Sequence, residues 1–298
     1  MTPLHNRTRT TQSIPRKLLR VGKLHLLPVY ALMRTSDLAR EGIENSGSYR
    51  FADHIYRNEP SGRLGVGRAL DAVLLRMRGA RSMRNRFHHT QREIVAAARA
   101  LAARGVASDH PDATFRVLSV PCGIARDLAL AARQIEREFP ELYARSTFFG
   151  VDLDPTPLRL SRDLARDVTG ADDHFVFTTG DALDATTFPP DLDVIVSTGL
   201  GEFLGDELLV RFYTNCHDHL RAGGTFITSG MQPDRVADYL MRQLAELRAH
   251  YRRGDEMTRW LHAAGFHEVS TRQDDVGLQT LVVARKFDRR RPGKPNAS

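Results

Sequence analysis

The sequence predicts an α/β fold: a mostly parallel, seven-stranded sheet closed by an antiparallel hairpin and preceded by a helical N-terminal cap. Three observations carry this. From Phe115 onward, short β-branched and aromatic runs alternate with helical stretches, the pattern of βαβ units around a parallel sheet. The last two runs, 266–271 and 279–284, are joined by Arg272-Gln273-Asp274-Asp275-Val276-Gly277. That link is too short for a crossover helix, so the two runs pair as a hairpin at the sheet edge. The first third has helical periodicity and no convincing strand.

Taken in order, residues 1–20 are rich in Thr and Arg without a period and read as a loose tail. Residues 21–110 form the cap or lid. Its early amphipathic stretches are broken at Gly42 and at Asn45-Ser46-Gly47-Ser48. A run over 64–78 offers Leu64, Ala69, Leu70, Val73, Leu74 and Met77 as a buried stripe. A second run, 83–104, meets Gly105 as a natural C-cap. Residues 111–286 supply strands at 115–120, 147–151, 175–178, 193–198 and 224–229 before the hairpin. The basic end, 287–298, reads as a disordered tail.

The formal net charge of +7 is divided along the chain: residues 1–110 carry 20 Lys and Arg against 8 Asp and Glu, whereas 111–284 carry 17 against 27. The sheet region is therefore acidic, which argues against nucleic acid as the partner. No apolar run approaches the roughly 20 residues of a membrane span, and the N-terminus lacks a secretory apolar core. The expectation is a cytoplasmic protein without a membrane partner. Cys122 and Cys216 make neither a disulfide framework nor a zinc site and read as reduced thiols.

The chemistry concentrates at the strand ends. Val117-Leu118-Ser119-Val120 runs into Pro121-Cys122-Gly123 and then a helix. Such a junction aims free backbone N–H groups and a helix dipole above the strand, and Gly123 admits a ligand close to the backbone. Further stations follow in order: Gly150-Val151-Asp152-Leu153-Asp154-Pro155, Thr179-Gly180-Asp181-Ala182, Leu192 through Leu200, and Leu220-Arg221-Ala222-Gly223-Gly224. Together these resemble the motifs of class I S-adenosylmethionine-dependent methyltransferases, over about Phe115 to Lys286. The resemblance implies a Rossmann-like sheet and S-adenosyl-L-methionine as cofactor.

By position, Asp152 would take the ribose diol, the role of a carboxylate at a second strand's end in dinucleotide folds. Asp154 stands behind it but fits a helix N-cap better. The resemblance places Asp181 and the Ala182 amide on adenine, Leu153 beside the nucleoside, and Ser119, Pro121, Cys122, Gly123, Ser197, Thr198 and Gly199 around the methionine part. Ser119 replaces the family's usual acid, and Pro121 and Ala125 stand where glycines are common. The ligand's amine then needs another partner, with Asp127, Glu202 or a backbone carbonyl in view.

Methyl transfer is an in-line displacement, so alignment, water exclusion and sometimes a base are what the protein must supply. Glu202, Tyr56 and Tyr213 are the catalytic candidates. His217 and His219 lie two apart on a predicted helix and do not share a face, so no metal site is expected. The reading is a methyltransferase acting on a small molecule of specialised biosynthesis. Two alternatives stay open: a cyclase or lyase on the same fold that releases methylthioadenosine, and a nucleic-acid-directed or non-catalytic ligand-binding protein. Oligomeric state is not legible.

Overall fold

The computed structural model describes residues 13–20, 22–45, 47–107, 114–234, 239 and 249–287. The expected tails are described only in part: residues 13–20, expected as loose, form a helix that buries Ile14 and Leu18 against Leu26, Tyr30 and Ile43, while 1–12 and 288–298 lie outside the described residues. The chain divides into two compact units, one of residues 1–88, 231–251 and 273–279, the other of residues 89–230, 252–272 and 280–298. Two later segments thus group with the N-terminal helices.

The second unit contains the sheet. Its strands are β1 (Phe115–Ser119), β2 (Ser146–Asp152), β3 (Phe175–Thr179), β4 (Leu192–Ser197), β5 (Leu220–Met231), β6 (Glu268–Gln273) and β7 (Gln279–Arg285). They lie in the order β3-β2-β1-β4-β5-β7-β6. β1 pairs in parallel with β2 and β4, β2 with β3, and β4 with β5. The register of β7 reverses. Lys286 N–H donates to Gly224 O and Gln232 N–H to Leu278 O, while His267 N–H donates to Arg285 O and Asp274 N–H to Gln279 O. β7 is therefore antiparallel to β5 and β6, and the expected terminal hairpin is present.

The period-2 alternation of the strands divides the core between the two faces. Val117, Val194, Val196 and Ile227 join one apolar cluster with Ile94, Ala98, Leu128, Ile135 and Leu158. Leu118, Ile195 and Phe226 join another with Leu209, Phe212, Cys216 and Leu261. The first cluster is covered by α6 (Arg78–Ala107), α7 (Arg126–Glu138), the short α8 (Pro140–Tyr143) and α9 (Pro155–Thr169); the second by α10 (Asp206–His219) and α11 (Gly254–Ala263). Local chemistry sets the ends of α9. Asp154 accepts the Thr156 N–H at 2.8 Å as N-cap, Pro155 occupies the first turn, and Gly170 closes the helix in the left-handed region.

The other unit holds α1 (Ser13–Arg20), α2 (Leu26–Met33), α3 (Asp37–Glu44), α4 (Tyr49–Arg57), α5 (Leu64–Arg76) and the start of α6. Its centre is Asp71, a fully buried carboxylate on α5. It accepts the Leu38 N–H at 2.9 Å, the Ser61 N–H at 2.9 Å and the Ser36 hydroxyl. His54 Nε2 lies 2.8 Å from its second oxygen.

Two expectations change here. The stripe read as buried on α5 is largely the solvent side: Leu64 is 84% exposed, Val73 57% and Met77 46%. The buried side is Gly67, Asp71 and Leu75. The helix turns this way because Asp71 is bound inward and because Gly67 meets a neighbouring backbone. A Cβ on Gly67 would stand 2.2 Å from Thr35 O. The second helix also begins earlier than read and runs through Gly105 to Ala107, so Gly105 is not its C-cap.

Candidate functional site

The C-terminal ends of the parallel strands build the site. Ser119, buried at the end of β1, stands in register with Gly150 of β2 and Val196 of β4. This is where the strand order reverses, the place at which open α/β sheets receive ligands. The Val120–Pro121 peptide is cis. After it, the Cys122 N–H donates to Val151 O at 2.9 Å. Gly123, at φ +51°, donates its N–H to Asp152 Oδ2 at 2.8 Å, and the Ala125 N–H donates to Ser161 Oγ at 3.0 Å. These amides are engaged inside the protein, not free as the sequence suggests, because the Val151 carbonyl, Asp152 and Ser161 on the adjacent strand and helix take them.

Asp152 is the pivot of the turn. It is 2% exposed, and its other oxygen accepts the Asp154 N–H at 3.0 Å. A carboxylate has about four lone-pair directions, so each oxygen retains an acceptor position beyond its backbone bond. Gly180 N–H donates to Asp152 O at 3.0 Å, which brings the end of β3 alongside. There Asp181 is exposed and its carboxylate accepts the Leu183 N–H at 2.9 Å; Ala182 is buried and Leu153 is 42% exposed. Asp127, in the first turn of α7, accepts the Leu128 N–H at 2.9 Å. Burial raises the Cys122 thiol pKa, and the Asp152 and Asp127 charges raise it further, so this cysteine is not a thiolate nucleophile.

A second set lies after β4. Ser197, 1% exposed, accepts the Thr228 hydroxyl on its carbonyl at 2.7 Å, and its own Oγ is buried with no hydrogen-bond partner among the described residues. Thr198 and Gly199, at φ +96°, lead into a 3-10 turn, Gly201–Phe203. That turn carries Glu202, 2% exposed. Arg252, 6% exposed, clamps the same segment. Its Nη1 donates to Gly201 O at 2.6 Å, and its Nη2 donates to Leu204 O at 2.6 Å and Asp206 Oδ1 at 2.8 Å.

Tyr213 stands behind the turn, fully buried between Phe212 and Phe226. Its hydroxyl is 3.8 Å from where a Cβ on Gly201 would lie. Burial raises its pKa; Thr228 and Arg252 oppose that shift, and the Glu202 charge adds to it. The phenol stays protonated and can donate. Tyr56 belongs to the other unit, stacked on Phe87 at 4.5 Å and accepting Arg86 Nη2 at 2.9 Å.

The sequence-predicted residues of β1, β2, β3 and β4 therefore meet along one edge of the sheet. Arg252 and Ser161 were missed. Nothing in Arg252-Arg253-Gly254 or in the middle of α9 marks either as a partner of a distant loop. A separate depression of about 610 Å³ lies on the edge hairpin, and none of the predicted residues lines it. Within it, Arg272 Nη2 donates to His89 Nδ1 at 3.0 Å. Burial, then Arg272 and Arg92, push the His89 pKa down to about 4, so its imidazole is neutral with the proton on Nε2.

A family model described as "Putative methyltransferase" matches residues 16–286. No curated protein matches the chain by sequence. Among solved structures, a possible exported protein from Bordetella parapertussis aligns with a TM-score of 0.74 at 18% identity, covering 94% of this chain and 97% of that one. Its likeness is one of fold. Magnesium protoporphyrin IX methyltransferase from Synechocystis PCC 6803 with bound SAH aligns at 0.48 and 13% identity, covering 78% and 93%. The S-adenosylmethionine-dependent methyltransferase SibL, in its apo form, aligns at 0.48 and 14%, covering 90% and 77%.

Proposed function

The chain belongs to the putative methyltransferase family whose model matches residues 16–286, and from that premise we propose that it moves a methyl group from S-adenosyl-L-methionine to a small molecule. The observation that carries the reading is Asp152: a buried carboxylate at the end of β2, fixed by the Gly123 and Asp154 amides. The two acceptor positions it retains are what a ribose cis-diol needs. The orphaned Ser197 hydroxyl at the end of β4 supports the same fit, since a buried polar group without a partner is costly unless a ligand completes it.

S-adenosylmethionine supplies, when bound, an activated methyl carbon on a sulfonium. The protein's part is to hold and orient. Asp152 binds the ribose, Asp181 and the Ala182 amide take the adenine edge, and Leu153 covers the nucleoside. Ser119, Pro121, Cys122, Gly123, Asp127, Ser197, Thr198 and Gly199 surround the methionine part. Because the amides of Cys122 and Gly123 are already engaged, recognition there rests on shape and on side chains rather than on an amide cradle.

Glu202, fixed by the Arg252 clamp on its turn, accepts the proton of the acceptor or binds the ligand's amine. Tyr213 keeps its proton and acts as a donor behind Glu202, not as a base. The acidic composition of 111–284 favours a small-molecule acceptor over nucleic acid. Residues 111–286 carry these roles.

The test is mass analysis of the chain incubated with S-adenosylmethionine, with and without panels of small-molecule acceptors. S-adenosylhomocysteine formed only when an acceptor is present supports the proposal. Methylthioadenosine formed without any acceptor would replace it with cyclase or lyase chemistry.

A further inference from the structure

The solvent side of α5 is the feature that the sheet chemistry leaves unexplained. Val66, Ala69 and Val73 recur at i, i+3 and i+7 and form one stripe, followed at the helix end by Met77, the extended C-cap residue. Val66 is 61% exposed, Val73 57% and Met77 46%. Gly67, Asp71 and Leu75 are buried on the opposite side, so α5 turns a second, apolar face to solvent, and a contiguous exposed apolar patch marks an interaction surface. The only acid on α5, Asp71, is buried and fully engaged. The helix charges that flank the stripe are cationic: Arg63 and Arg76, both exposed. In the same unit α2 packs beside α5 and exposes Val29 and Leu32.

We propose that this face rests on an anionic lipid surface, with α5 lying in the plane of the interface. Charge selects the occupant. A second copy across a two-fold axis would set arginine against arginine, because such an interface uses the same patch twice. An anionic bilayer instead accepts the apolar stripe at the headgroup boundary and pairs with the flanking arginines, whose stems lie along apolar surface while their heads reach phosphate. That no helix among the described residues is long and apolar enough to cross a membrane does not bear on this, since a helix that lies on a membrane need not cross it. The inference is independent of the methyltransferase reading.

Co-sedimentation of the full chain with vesicles tests it. The chain is expected to pellet with phosphatidylcholine mixed with phosphatidylglycerol, to stay in solution with phosphatidylcholine alone, and to be released by high salt. Val66→Asp combined with Val73→Asp should abolish pelleting, and Arg63→Gln or Arg76→Gln should each weaken it about fivefold. All four positions are exposed, and circular dichroism of each variant checks that it folds. Failure to pellet with the mixed vesicles, equal pelleting with both lipids, or variants that bind like the parent would overturn the proposal. So would a dimer in solution that Val73→Asp dissolves, which would assign the face to a second copy.

Discussion

Arg252 donates to the carbonyl oxygen of Leu204 at 2.6 Å across 48 residues of chain. With its bonds to Gly201 O and Asp206, it closes the segment that carries Glu202. Arg252→Met leaves the buried Leu204 carbonyl without its donor and Gly201 O with only the Leu204 N–H at 3.3 Å, and each such loss costs about 1–3 kcal/mol. We expect a global destabilisation of about 2–4 kcal/mol and faster deuterium uptake in peptides covering 199–206. Arg252→Lys should recover only part of either, because one ammonium cannot reproduce the planar fork. Uptake unchanged in the Met variant would show that the clamp is not what holds the turn.

The orientation of α5 has its own test. Alanine at Gly67 would gain about 1 kcal/mol of helix propensity, yet its Cβ would meet Thr35 O at 2.2 Å. The clash is with backbone, so the helix must shift. Gly67→Ala should therefore be destabilising by about 1–3 kcal/mol, whereas Gly65→Ala, with open space at its Cβ, should be neutral or stabilising. Equal behaviour of the two variants in chemical denaturation would contradict the packing of α5.

Two buried groups give opposite pH signatures. His89 has its pKa pushed from 6.5 down to about 4 by burial and then by Arg272 and Arg92. The unfolded chain binds that proton first, so the contribution of His89 is lost as pH falls from 6.5 through about 4. Asp193 is pushed up from 3.8 to about 6 by burial, against Arg221 and the Arg116 amide. Here the folded chain holds the proton more tightly, and stability declines as pH rises from 3.8 to about 6. Melting temperatures over this window should show a flatter acid limb for His89→Gln than for the parent. Asp193→Asn should show a steeper rise with pH than the parent. Identical profiles for all three would refute both assignments.

Much of the sheet was legible because periodicity and connection length are local. The hairpin follows from six linking residues, and Asp154 fits an N-cap as an acid set between the strand and the helix start. The acid at the end of β2 was legible for the same reason: strand, acid and helix start are contiguous. What stayed hidden depends on partners distant in sequence. The α5 stripe satisfied a helical period on its apolar side, but Asp71 and the Thr35–Gly67 contact set which side faces inward, and no local pattern reports them. The turn amides are free by local pattern, but Asp152, 29 residues from Gly123, and Ser161, 36 residues from Ala125, take two of them. Arg252 is one of many arginines in the sequence until the loop folds onto it.

Calorimetric titration of the chain and of its Asp152→Asn variant with S-adenosylmethionine tests the central claim most directly. The variant keeps an acceptor oxygen for one backbone amide, and a melting curve verifies its fold. The account predicts micromolar binding to the parent chain, about tenfold or more weaker in the variant, as expected when one acceptor of a charge-assisted diol contact is lost. Equal affinity of the two proteins, or no binding to the parent chain, would contradict it.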